Sequence, residues 1–331
     1  MERFALAAAV VLGFALTAAL CSLFVPLRRV LERREQQQQP VQPEPPRSAP
    51  LRAPLWGGLC AAAGTVAAVG VGWLAACVGQ PELLGSEGRL MTRLLTALAG
   101  SLAFGAVGLA EDLARMRSPA ALGLRRDVRL LLEALAAAFV LLLLRAAGCL
   151  PRGLGVPGAG YVLLGSAVPL LWAVLMVALA ECARIAERDE GAVCGAAFVA
   201  MLALMMAEAG LGVPGLAVLP AALAGALVAL GLWAFPPARL GVGCCGSLLA
   251  AGAIGCIPLS LDMTSLTVPL ALPFWAAGGL LAAQLLCAKR TGKPLRCWVK
   301  KHKMSPETVF LCSFALSAVG YVLALALLRW C

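Results

Sequence analysis

The sequence predicts an all-α, polytopic membrane protein of about ten transmembrane helices with both termini outside. Three observations carry that prediction. Of 331 residues, 61% are hydrophobic and only 13% are charged, whereas soluble domains have roughly 45–50% apolar and about 25% charged residues. Apolar runs approaching the roughly 20 residues that span a bilayer core recur ten times. Basic residues cluster in every second connection between those runs, the charge bias that marks cytoplasmic loops.

In chain order the predicted spans are Phe4–Leu27, Leu55–Cys77, Leu94–Ala110, Leu130–Ala147, Ala159–Ala180, Ala192–Leu211, Pro214–Phe235, Leu248–Leu259, Leu266–Cys287 and Val309–Leu328. The eighth is short and glycine-rich and is the weakest of them. Strand-type alternation is absent, and backbone in lipid must satisfy its own hydrogen bonds, so each run reads as a helix. Positive charge follows the first run rather than preceding it, and no small-residue cleavage site is evident. That run therefore reads as a retained helix and not a signal peptide.

The loops after the first, third, fifth, seventh and ninth runs hold 21 of the 27 Lys and Arg residues. Gln36–Gln39, Arg184 and Lys300 are accordingly placed in the cytoplasm, and Arg152 and Cys331 outside. A net charge of +10 distributed this way serves topology and anionic headgroups, and nucleic acid is not an expected partner. The chain reads as one transmembrane domain, 1–331, with a Gln- and Pro-rich cytoplasmic linker at 35–54 that cannot form a packed core. Thirteen cysteines lie scattered through apolar runs, apart from Cys244-Cys245. No zinc-type spacing or disulfide framework emerges, so most are small buried apolar residues.

Nearly all remaining polar chemistry falls in the loops on the basic side, which suits a reaction between a soluble substrate and a lipid. Four segments stand out. Residues 52–58 read Arg-Ala-Pro-Leu-Trp-Gly-Gly. Residues 108–115 read Gly-Leu-Ala-Glu-Asp-Leu-Ala-Arg, followed by Leu-Gly-Leu at 122–124. Residues 233–247 end in Gly-Val-Gly-Cys-Cys-Gly-Ser, and residues 289–293 read Lys-Arg-Thr-Gly-Lys, with Ser305-Pro306-Glu307 before the last run.

In this order and spacing the segments resemble the polyprenyl-phosphate N-acetylhexosamine-1-phosphate transferases. The Leu-Gly-Leu, Thr-Gly-Lys and Ser-Pro-Glu look most like the phospho-N-acetylmuramoyl-pentapeptide transferases within that family. The resemblance implies a ten-helix bundle in a bacterial plasma membrane and a site facing the cytoplasm. It also implies transfer of a sugar-1-phosphate from a UDP-sugar to undecaprenyl phosphate, in peptidoglycan or other envelope synthesis. Mg2+ is the implied cofactor, UDP-sugar and lipid phosphate are the implied partners, and a homodimer is compatible with the fold.

The same resemblance assigns site residues. Glu111-Asp112 stand where the family has an Asp-Asp pair, and Arg115 stands where it has a lysine. In the loop at 181–191, Glu181 and Arg184 replace asparagines, and Glu187 and Glu190 replace aspartates. Cys244 falls on the aspartate of a Gly-Asp-Thr-Gly-Ser turn, ahead of Gly246 and Ser247. His302, the sole histidine, is what remains of a histidine cluster. The implied catalytic set is Glu111, Asp112, Glu187 and Cys244, with Arg115, Arg184, Glu190, Gly246, Ser247 and His302 for substrate and Asp112 for metal.

A thiol suits magnesium poorly, because hard cations take oxygen ligands. Three functions are therefore weighed: an active transferase with a remodelled site, an inactive homologue binding lipid phosphate, nucleotide or a partner protein, and a transporter. A transporter should show polar or broken helices at mid-membrane, and the polar residues lie instead at one set of helix ends. Between the first two, loss of a metal carboxylate favours the inactive homologue, since electrostatic stabilisation carries phosphoryl transfer.

Overall fold

A computed structural model describes residues 2–38, 56–79, 88–117, 123–151, 153–156, 160–163, 165, 167–187, 191–213, 215–235, 239–291 and 306–330. Its helices are α1 (Glu2–Gln38), α2 (Gly57–Gly79), α3 (Gly88–Arg117), α4 (Arg126–Ala146), α5 (Ala167–Ala186), α6 (Ala192–Gly210), α7 (Val218–Ala234), α8 (Gly243–Ser260), a short α9 (Thr267–Leu270), α10 (Leu272–Thr291) and α11 (Pro306–Trp330). The protein is an all-α polytopic membrane protein. Among the described residues, seven helices are long and apolar enough to cross a membrane. The segments 264–270 and 272–283, bent by 63°, add an eighth if taken as one span. The other two expected spans are α4, which carries Asp127, Arg129, Glu133 and Arg145, and α7, which is 17 residues long.

Helix α8 is the axis of the bundle. Every residue from Gly243 to Ser260 is buried, and α3 packs along it, with α2 and α5 on other sides. The glycines that weakened this span in the sequence are what allow the contact. A Cβ on Gly108 would strike the Cys244 carbonyl, one on Gly58 would strike the Gly246 backbone, and one on Gly252 would press on Ser101 and Phe104. In lipid, helices associate through such close packing of small residues, because tails are as apolar as side chains. Large apolar side chains remain exposed on the outer helices, among them Leu74, Leu131, Leu170 and Leu311, as a lipid-facing surface requires.

Two expectations need correction. The fifth helix begins at Ala167, not at 159, because residues 153–156 and 160–163 form an antiparallel hairpin, Gly153 opposite Leu163. Gly153, Gly155 and Gly160 disfavour helix, and Pro157-Gly158 between the strands is a turn signal. At the other correction, α1 does not stop near Leu27 but continues through Gln38, since Arg, Glu and Gln are good helix formers. The rest of the 35–54 linker, Arg152 and Cys331 lie outside the described residues.

Alternate helix ends meet at one end of the bundle. Phe24 of α1 stacks on Trp56 with ring centroids 5.9 Å apart. The Gly57 N–H donates to the Gly241 carbonyl at 3.2 Å. Phe235, just past α7, meets Phe310 of α11 edge-on at 5.5 Å. Among the described residues, the buried Glu111, Asp112, Arg129 and Glu133 gather at this end, while Glu208, in the last turn of α6, is buried away from it.

Candidate functional site

The start of α8 is held by a carboxylate from another helix. Asp112 of α3 accepts from the Cys244 N–H through Oδ1 at 3.0 Å and from the Cys245 N–H through Oδ2 at 2.9 Å. These amides belong to the first turn of α8, where backbone N–H groups have no intrahelical acceptor and the helix dipole is positive. The residue preceding the helix is Val242, which offers no side-chain cap. Asp112, 1% exposed, supplies that cap across 132 residues of sequence. Gly108 sits one turn earlier and brings α3 close enough. Gly243 begins α8 with φ +70°, a left-handed conformation that glycine adopts without steric cost.

Beside this cap lies a network of ion pairs. Arg115 donates through Nη2 to Glu111 Oε1 at 2.8 Å and through Nη1 to Glu187 Oε2 at 3.3 Å. Its Nη1 also lies 3.9 Å from Asp112 Oδ1. The Cys244 thiol donates to Glu187 Oε2 at 3.3 Å. Single donor atoms of Asp112, Glu187 and Cys244 all lie within 4.8 Å of one another. Gly123, the centre of the Leu-Gly-Leu segment, has φ +69°, and a Cβ there would come within 3.2 Å of Arg115 Cγ. That glycine thus borders the Arg115 side chain.

A second half of the network adjoins the first. Arg129 of α4 grips Glu181 through Nε at 2.7 Å and Nη2 at 3.3 Å, and lies 3.7 Å from Glu111 Oε1. Arg184 donates to Glu181 Oε2 at 2.6 Å. One turn into α4 from Arg129, Glu133 is 0% exposed. Among the described residues neither of its oxygens has a hydrogen-bond partner, and Glu111 Oε2 has none either. Five carboxyl groups (Glu111, Asp112, Glu133, Glu181, Glu187) therefore face three guanidinium groups (Arg115, Arg129, Arg184) in the described cluster.

Six residues expected at the site come together here: Glu111, Asp112, Arg115, Arg184, Glu187 and Cys244. Gly246 and Ser247 do not join the charges. Gly246 packs on Gly58 and so seats α8 against α2, while the Ser247 hydroxyl donates back to the Cys244 carbonyl within α8 at 3.2 Å. Glu190 and His302 lie outside the described residues. Sequence reasoning missed Arg129, which it read only as a topology marker, and Glu133. Their signal was present: an Arg and a Glu four apart in an otherwise apolar helix, and ionisable residues inside membrane helices mark functional sites by default.

The fold and the site define a class, a polytopic helical membrane protein whose acids, guanidinium groups and a helix N-terminus meet at one end of the bundle. The chain belongs to glycosyl transferase family 4, whose sequence model matches residues 94–262. That stretch runs from α3 through the end of α8 and contains every residue of the cluster. No curated protein matches the chain in sequence.

Membership in this family generally implies a divalent metal, and the Asp112, Glu187 and Cys244 group is where the structure offers one ligands. The donors do not fit magnesium. Magnesium demands near-octahedral oxygen ligation. Of the three donors, only Asp112 and Glu187 offer oxygen, and the third is the Cys244 sulfur.

Proposed function

We propose that this chain is a catalytically inactive homologue of the phospho-N-acetylmuramoyl-pentapeptide transferase type. It retains the membrane scaffold of a sugar-phosphate transferase and binds undecaprenyl phosphate and a UDP-sugar without efficient transfer. The observation that carries this reading is the seat of Arg115. Its guanidinium lies against Glu111, Asp112 and Glu187, so a protein cation competes for the carboxylates that transfer would need for a metal. Phosphoryl transfer depends on positioning and on electrostatic stabilisation by such ions. Binding a phosphate is a lesser demand. Exposed Arg117, Arg125, Arg126 and Arg239 border the same end of the bundle and supply cations for it.

The alternating basic loops support placing this end in the cytoplasm of a bacterial cell and both termini outside, with peptidoglycan precursors as the substrate class. Purified protein with UDP-MurNAc-pentapeptide, undecaprenyl phosphate and magnesium is expected to release no UMP above a detergent blank, while undecaprenyl phosphate raises its melting temperature. Magnesium-dependent UMP release at a steady rate overturns the inactive reading.

A further inference from the structure

The same donors that reject magnesium suit a different cation. We infer that Asp112, Glu187 and Cys244 form a binding site for a borderline divalent cation of the zinc class. This inference rests on the reading of the site as unfit for magnesium. Zinc is bound by thiolate sulfur, carboxylate oxygen and imidazole nitrogen, and sites with three protein ligands leave a further position for water. A soft thiolate selects such metals over magnesium. Here one sulfur and two carboxylates offer donor atoms within 4.8 Å of one another, a separation that small rotamer changes close onto a single ion.

Two further observations point to a cation. The cluster holds five carboxyl groups against three guanidinium groups, so oxygen donors remain beyond those the guanidinium groups engage. Glu111, 2% exposed, leaves Oε2 without a partner. It lies on the same turn of α3 as Asp112, and among the described residues it is an acceptor left open. Arg115 is the competing cation. Its side chain is 24% exposed, so it can swing off Glu187 toward solvent as the ion enters. The Cys244 sulfur then binds the metal as thiolate, and its proton passes to bulk water.

The opposing effects of metal and guanidinium give the test its sign. Full-length protein in detergent is titrated with Co2+, which reports sulfur ligation through a thiolate-to-cobalt charge-transfer absorption, and with Zn2+ while thermal unfolding is followed. The expected result is a saturable cobalt band that is lost in Cys244→Ser, kept in Cys245→Ser, and matched by zinc-dependent stabilisation of the wild type. Glu187→Gln, which leaves the thiol in place, should weaken cobalt binding on the order of tenfold or more. Arg115→Met should tighten it. If Cys244→Ser does not fold, the Glu187→Gln and Arg115→Met pair still decides the matter through its opposite signs. Absence of a band, or a band that survives Cys244→Ser or disappears in Cys245→Ser, overturns the inference. So does cobalt binding unmoved by both Glu187→Gln and Arg115→Met. These outcomes are independent of UMP release, which tests the inactive reading by itself.

Discussion

Along α8, residues 247–260 meet glycines and apolar side chains of α3 and α5, whereas residues 243–245 meet charge. The deeper part is a fitting problem. Gly105 lies on Leu249, Gly100 on Cys256 and Val140, and Gly255 on Met176. The first turn is an electrostatic problem, settled by Asp112 on its amides and Arg115 among the acids. The glycines of the motif at 243–247 satisfy packing whatever the protein catalyses. The side chains between them set the chemistry, and they can change without disturbing the fold. The packing of the scaffold is therefore separable from the choice of side chains at its charged end.

Breaking the packing side of this comparison should have the largest effect. Gly58→Val places a branched side chain against the Gly246 backbone. Backbone cannot rotate away, so destabilisation of about 3 kcal/mol or more is expected, at the upper end for overpacking. Thermal melting and the yield of monodisperse protein report it. Gly70→Ala is the counterpart in the same helix, with open space at its Cβ. It should gain about 0.5–1 kcal/mol from lost backbone freedom in the unfolded chain. Equal losses at the two glycines would dissolve the packing argument.

On the charged side, two residues one turn apart on α4 should respond with opposite signs. Arg129→Gln removes the fork that holds Glu181 and leaves buried acids uncompensated, at a cost of about 3 kcal/mol. Glu133→Gln removes a buried carboxyl group that has no hydrogen-bond partner among the described residues. It should raise stability slightly, by about 1 kcal/mol. Urea or thermal melts in a mild detergent separate the two. A large loss on Glu133→Gln would show that this acid anchors the network rather than burdening it.

Legibility in the sequence divides along the same line. The all-helical bundle was plain, because apolar length is a local property. Glu111, Asp112, Glu187 and Cys244 could be grouped only through the resemblance, since α3 and α8 are brought together by tertiary packing. The capping role of Asp112 was invisible for that reason. Span eight looked weakest because glycine lowers hydropathy, yet glycine is what lets α8 sit at the centre. Glu133 was missed because an apolar run with one acid still reads as a span. The hairpin at 153–163 was missed because its glycine-rich strands are four residues each, too short to show alternation.

The central claim is that Cys244 occupies the metal position and keeps magnesium out. The measurement that tests it most directly is magnesium-dependent thermal stabilisation of the wild type beside Cys244→Asp. Magnesium should leave the wild-type melting temperature unchanged and raise that of Cys244→Asp, in which Asp112, Glu111 and Glu187 gain a hard anionic neighbour. Binding to the folded state contributes about 2.7 kcal/mol at a hundredfold excess over Kd, so the shift is readily seen. Strong magnesium stabilisation of the wild type that Cys244→Asp leaves untouched would contradict the account.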